Sequence, residues 1–191
     1  MKRLLLTFAA VAALGGALAA CETATPYQPL TLGHGYAVGY AEQKLNDDLW
    51  RVSFSGNRLT SRETVERYLL YRASELTVSQ GNDWFLDSHR ALDKKTTYSV
   101  DPFYASGAGF GYGWGWRPYW RFYGGGFGWR GYDPWFDGPF WADRFEATQM
   151  DRYQASAEIR MGKGAKPPNA IDARQAMTNL GPAIVRPPPA H

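Results

Sequence analysis

From Arg152 to Met161 the chain alternates without exception: Tyr153, Ala155, Ala157, Ile159 and Met161 against Arg152, Gln154, Ser156, Glu158 and Arg160. Successive side chains of a strand point to opposite faces, so a period of two predicts a long strand with one dry side and one wet side. Phe145 and Ala147 continue the apolar set towards the N-terminus. A sheet built on such a strand must cover its dry face, and helices packed on that side are the simplest cover.

The rest of the chain supplies partners for that strand. Tyr36, Val38 and Tyr40 alternate with small residues as an edge strand. LWRVSFS, residues 49–55, puts Trp50, Val52 and Phe54 on one face and Arg51, Ser53 and Ser55 on the other. The next stretch predicts the main helix. Thr60 is placed to cap it, with Glu63 three residues on to close a capping box. Val65, Leu69, Ala73 and Leu76 recur at helical spacing, and Gly81 ends the run. DWFLD, residues 83–87, opens a third strand expected to continue to residue 92. Residues 162–168 read as a loop, and Asn169 or Asp172 caps a short helix bearing Ala173, Ala176, Met177 and Leu180. Gly181-Pro182 ends that helix, and the Pro-rich residues 182–191 are expected to be disordered. The expectation is an α+β fold: a small antiparallel or mixed sheet of about four strands, with one main helix and a short C-terminal helix on one face.

Residues 102–141 differ in kind. They hold 11 of the 21 glycines and 17 of the 30 aromatic residues, including six of the eight Trp. No helical or strand period persists there, so the segment reads as an irregular insertion in a single domain spanning 36–181. A Gly-rich backbone loses much entropy on ordering. So much aromatic surface nevertheless points to a contact. The candidates are Trp114, Trp116, Trp120, Trp129, Trp135 and Trp141, with Arg117, Arg121 and Arg130 beside them. Three targets suit them: a bilayer interface, which attracts Trp and Tyr; glycan rings such as those of peptidoglycan, with guanidinium groups assisting; or other copies of the chain.

The N-terminus addresses the chain. Met1-Lys2-Arg3 is a basic start, and the 17 residues Leu4–Ala20 carry no charge and are rich in Ala and Leu. This is the layout of a secretory signal peptide, residues 1–20, and is at the short limit for a membrane span; an uncleaved anchor is the alternative. The run closes on Leu18-Ala19-Ala20-Cys21, which resembles the lipobox of bacterial lipoproteins. The resemblance implies cleavage between Ala20 and Cys21, lipid on the Cys21 sulfur and acylation of its new amine. Cys21 is the sole cysteine, so no disulfide framework competes for it. Each buried methylene contributes about 0.8 kcal/mol, and two or more chains anchor stably. Glu22 stands where lipoproteins held at the inner membrane carry Asp, so the resemblance implies the periplasmic leaflet of the outer membrane. Residues 21–35, rich in Thr, Pro and Gly, read as a tether between lipid and domain. Losing Lys2 and Arg3 leaves 19 basic against 18 acidic residues, a net of +1, so nothing argues for nucleic acid.

Several strings together resemble a family of small bacterial lipoproteins: ATPYQPL at 24–30, WRVSF at 50–54, TSRETVERYLLYRASELT at 60–77, GNDWF at 81–85, AEIRMGKGAKP at 157–167 and DARQAMTNL at 172–180. The resemblance covers most of the chain after Cys21. It implies a single lipid-anchored domain and brings no activity, cofactor or catalytic residue.

Motifs that would carry chemistry are sparse. His34, His89 and His191 lack metal-ligand spacing. Asp87 and His89 share a strand face, which reads as polar side chains in solvent or, alternatively, as a metal pair or an acid–base pair. GYGWGW at 111–116 has no strand-to-helix context for phosphate binding. Arg62, Glu63, Glu66, Arg67, Arg72 and Glu75 have the spacings of helix ion pairs. No cofactor or metal is expected. The leading expectation is a non-enzymatic envelope protein that contacts membrane, cell wall or an envelope protein through the aromatic insertion. An envelope hydrolase using Asp83, Asp87 and Asp93 in a cleft, and a self-assembling envelope protein, are the alternatives.

Overall fold

The computed structural model describes residues 23–33, 35–88, 116–124, 128–132 and 152–189. The predicted leader, Cys21, His34, His89 and Asp93 lie outside them, as do Trp114, Trp135, Trp141, Phe145, Ala147 and His191.

The fold is α+β. Among the described residues eight strands pair antiparallel: β1 (Thr31–Gly33), β2 (Tyr36–Lys44), β3 (Leu49–Ser55), β4 (Trp84–Asp87), β5 (Tyr119–Gly124), β6 (Gly128–Tyr132), β7 (Arg152–Gly162) and β8 (Ile171–Asp172). Two helices accompany them, α1 (Arg62–Ser79) and α2 (Ala173–Leu180), the second running into a 3-10 turn over Gly181–Ala183. Twice the expected number of strands are present among the described residues, because two short ones, β1 and β8, and the β5–β6 hairpin of the aromatic segment join the sheet.

The long alternating strand is the organiser, as its pattern predicts. β7 pairs with β3 along one edge from Gln154 to Arg160. Its other edge is shared end to end: β4 takes Ile159 to Gly162 and β5 takes Arg152 to Ser156. β4 and β5 run in the same direction along that edge, so together they trace one interrupted strand. The chain leaves it after Asp87 and returns at Tyr119. The insertion is therefore not wholly irregular, which corrects the reading from sequence. β5 continues into β6, with Trp120 opposite Tyr132 and Tyr123 opposite Trp129.

The apolar half of each alternation meets α1. Val52 and Phe54 from β3, Phe85 from β4, Trp120 and Phe122 from β5, and Ala155, Ala157, Ile159 and Met161 from β7 are buried together with Val65, Leu69, Ala73 and Leu76 of α1. α1 is buried on more than its sheet side. Tyr68, Leu70 and Tyr71 are covered as well, because α2 and both ends of the domain pack around it. Burying a Leu or Phe side chain contributes about 1.5–3 kcal/mol, so this layer dominates the stability.

Details at the helix ends depart from expectation. Ser61, not Thr60, caps α1: its hydroxyl accepts from the Thr64 amide. Thr60 is buried and its hydroxyl is otherwise engaged, accepting from the Thr25 amide at 2.8 Å and donating to Asn57 Oδ1 at 2.7 Å. Glu63 reaches Arg67 instead of closing a capping box. Gly81 does end the helix, at φ +72°, with the Asn82 amide bonded back to the Thr77 carbonyl. Asp172 is the cap of α2.

Both expected tails are docked. Residues 25–33, read as tether, lie on the domain: Tyr27 is 4 % exposed, and β1 pairs with β2. The Leu30 amide donates to the Tyr40 carbonyl and the Tyr40 amide to the Gln28 carbonyl. The backbone at Gly39 has φ +107°, and a Cβ there would come within 2.6 Å of the Gln28 and Pro29 carbonyl oxygens. Only glycine allows that approach. At the other end, residues 184–187, expected to be disordered, cross α1. The Val185 carbonyl accepts from the Tyr27 amide at 2.7 Å and the Val185 amide donates to the Tyr68 hydroxyl at 3.1 Å.

Candidate functional site

The open face of the sheet carries the polar half of the alternation, and its centre is hollow. Ser156 of β7 lies opposite Ser53 of β3 on one side and Tyr119 of β5 on the other. Two small serines beside larger neighbours leave a low floor. Arg51 and Glu158 wall one end as an ion pair at 2.5 Å. Arg121 and Gln154 wall the other, 3.4 Å apart. The resulting groove encloses about 420 Å³ and is lined by Arg51, Ser53, Tyr119, Arg121, Gln154, Ser156, Ala157 and Glu158. Tyr119 leans across Gly131 of β6, where any Cβ would collide with its phenol. The groove thus presents hydroxyls, an amide, guanidinium groups, a carboxylate and one partly exposed aromatic ring on a rigid strand framework. That set can hydrogen-bond a polyhydroxylated ligand while a ring covers its apolar side.

A second hollow, of about 570 Å³, lies between the N-terminal segment, α1 and the C-terminal segment, lined among others by Tyr27, Tyr40, Arg72, Glu75 and Arg186. Its charged groups are already committed. Arg72 grips Glu42 through two nitrogens at 2.8 and 3.1 Å and Glu75 at 3.0 Å. Arg186 reaches Glu75 and the Tyr71 hydroxyl, each at 3.2 Å. The Tyr27 phenol donates to Glu75. Burial, reinforced by the Glu75 carboxylate, raises the Tyr27 phenol well above its ordinary range. Two arginines balance two glutamates, so the hollow offers no net charge to a ligand. It is the joint that fastens both chain ends to α1.

In its second turn, α1 carries a buried carboxyl. Glu66 is 5 % exposed, and burial pushes it up to about 7, with Arg62 opposing and Glu63 adding to the shift. The Arg62 guanidinium lies 5.3 Å from the centre of the Trp120 ring. Burial likewise raises the Tyr153 phenol.

The residues expected to make contacts are sorted differently by the fold. Trp120 is fully buried and Trp116 is 5 % exposed, with its ring edge-on to Phe85. Neither can meet a partner, which corrects their assignment as contact residues. The reason is register: Trp120 faces Ala155, on the side covered by α1. Arg117 is half-buried and its backbone amide donates to the Asp87 carboxylate at 3.4 Å. Arg121 and Arg130 are exposed on the β5–β6 hairpin. Trp129 lies on β6 opposite Tyr123, and its side chain is outside what the structure describes. Of the acidic residues proposed for a hydrolase cleft, Asp83 accepts from the Gly164 amide at 2.9 Å and lies 3.9 Å from Arg174, whereas Asp87 is buried at the exit of β4. Among the described residues no three of His, Cys, Asp or Glu gather as a metal set, and no helix is long and apolar enough to cross a membrane.

The groove escaped the sequence reading. Its residues were visible as the polar positions of three strands, but the hollow depends on register, which aligns Ser53, Ser156 and Tyr119.

The fold and this groove define a sheet-and-helix domain with a polar open face. No family model, curated protein or solved structure matches the chain.

Proposed function

We propose that the chain is a non-enzymatic, lipid-anchored protein of the bacterial cell envelope that binds cell-wall glycan on the open face of its sheet. The leader ending in Leu18-Ala19-Ala20-Cys21 supports secretion and acylation at Cys21, and Glu22 favours the outer membrane. The resemblance to small bacterial lipoproteins agrees with that address. The observation that carries the binding role is the groove of Ser53, Ser156, Gln154, Arg121 and Tyr119. Glycan strands of peptidoglycan offer hydroxyls and acetamido groups in a repeating line, with carboxylates on the attached peptides, which this set of groups complements. The aromatic insertion contributes by supplying β5 and β6, and with them Tyr119, Arg121 and Arg130. Trp116 and Trp120 serve the core.

Purified sacculi should pull down the domain, and Tyr119→Ala together with Arg121→Ala should weaken capture at least several-fold with the circular dichroism spectrum unchanged. Equal capture of the double variant would remove the groove from the account, and no capture of the parent protein would remove the glycan.

A further inference from the structure

The end of the sheet from which the N-terminal segment departs carries an unusual concentration of exposed apolar side chains. β2 runs past the last residue of β3, since Gly39 is the residue opposite Ser55. Its first residues and β1 therefore extend past the end of β3, level with Arg152 of β7, and Leu32 on β1 is 88 % exposed, with Leu30 beside it at 46 %. The turn from β3 to α1 leaves the sheet at that same end, and it carries Leu59, 49 % exposed. Single exposed leucines are ordinary on a protein surface. What distinguishes these is where the chain enters.

Thr23 and Thr25 are fixed to that turn. Asn57 donates from Nδ2 to the Thr23 carbonyl at 2.6 Å, the Asn57 amide donates to the Thr25 hydroxyl at 2.9 Å, and the Thr25 amide donates to Thr60 Oγ1 at 2.8 Å. Thr25, Asn57 and Thr60 are all buried. Cys21 precedes Thr23 by two residues. Two residues of extended chain span about 7 Å at most. A lipid on Cys21 would thus hold the Asn57–Thr60 turn at headgroup level, with no slack for the domain to swing away.

We propose that this end of the domain is a bilayer-contact surface, in which Leu59 and Leu32 enter the interfacial zone of the membrane beside the acylated Cys21. The proposal rests on the lipoprotein reading above and deepens it by fixing how the domain sits. The β2–β3 turn at Asp47, at the far end of the sheet, then points away from the membrane, and the polar open face stands across the gap between membrane and cell wall.

Acylation occupies the only native thiol, so a new cysteine can be labelled specifically. Leu59→Cys, Leu32→Cys and Asp47→Cys proteins, purified in lipidated form and carrying an environment-sensitive fluorophore, would be reconstituted in phosphatidylethanolamine/phosphatidylglycerol vesicles. Lipids brominated near the headgroup should quench positions 59 and 32 several-fold more than position 47. Inserting about ten Gly/Ser residues between Glu22 and Thr23, which gives a slack of about 17 Å, should lower that quenching while the protein still floats with the vesicles. Equal quenching at all three positions in an acylated, floating protein would overturn the proposal and leave the anchor intact. Shielding of positions 59 and 32 from aqueous iodide without lipid quenching would assign the surface to a second copy of the chain, and would also overturn it. A product whose intact mass shows no acyl chains would overturn the lipoprotein reading and this proposal with it.

Discussion

Burial of the Glu66 carboxyl inside α1 has a direct consequence for stability against pH. The unfolded carboxyl titrates near 4.5, whereas in the fold it is pushed up to about 7. Between those values the folded chain holds a proton that the unfolded chain has released, so stability falls as pH rises. The contribution is fully present below about 4.5 and is lost through about 7. A shift of this size corresponds to on the order of 3 kcal/mol. Glu66→Gln keeps the shape and removes the charge. Its urea midpoint should exceed the parent's at pH 8 and converge with it near pH 4; parallel curves at both values would show that the carboxyl is solvated. Neighbouring hydroxyls illustrate where sequence reading stops at this scale. Thr60 and Ser61 are adjacent and both can cap a helix, and the Glu63 spacing favoured Thr60. The choice fell to Ser61 because the Thr60 hydroxyl is claimed by Thr25, which is 35 residues away in sequence. A long-range contact outcompeted a local motif, and no local pattern reports that.

Elements were legible in proportion to the contrast between their two faces. β7 and β3 alternate apolar with charged or hydroxyl residues, and both form where the pattern puts them. α1 was legible from Val65, Leu69, Ala73 and Leu76, although its burial on further sides was not, since that depends on the chain ends. β5 obeys the same period of two: Trp120 and Phe122 are buried, while Tyr119 and Arg121 are exposed. Four of its first five residues are large aromatics, two on each face, so composition hid the alternation. The groove was illegible for a related reason, since it is a product of register between β3, β7 and β5. A fully buried Trp cut to Ala typically costs about 3–5 kcal/mol. Trp120→Ala should lower the denaturant midpoint severely or prevent folding, while Tyr119→Ala, one residue away on the open face, should leave the fold standing. A Trp120→Ala protein as stable as its parent would mean that β5 does not dock on β7 and that the ring is free for surface contact.

For the whole molecule, the two ends of the domain are coupled through α1. Tyr27 sits at the junction: its amide bonds to Val185, its phenol to Glu75, and its ring meets Tyr40, Tyr68 and Tyr71 at centroid distances of 4.9, 5.7 and 5.2 Å. Arg186 completes the clasp, with its guanidinium 5.5 Å from the Tyr27 ring and its hydrogen bonds on Tyr71 and Glu75. The segment that would bear the lipid is thereby held by the segment that ends the chain. Truncation after Ala183 removes the acceptor for the Tyr27 amide and the cation over its ring, but touches none of the β3–β7–β4 pairing. Amide hydrogen exchange should therefore accelerate locally, at Tyr27, which loses its acceptor, and at Leu30 and Tyr40, whose bonds tie the N-terminal segment to β2. Exchange along β7 from Ala155 to Met161 should stay slow. Unchanged protection at Tyr27 would mean that the aromatic cluster alone holds the segment. Acceleration of β7 to the same degree would mean that the clasp is part of the cooperative core, in which case pulling on the lipid would load the whole sheet and not only its edge.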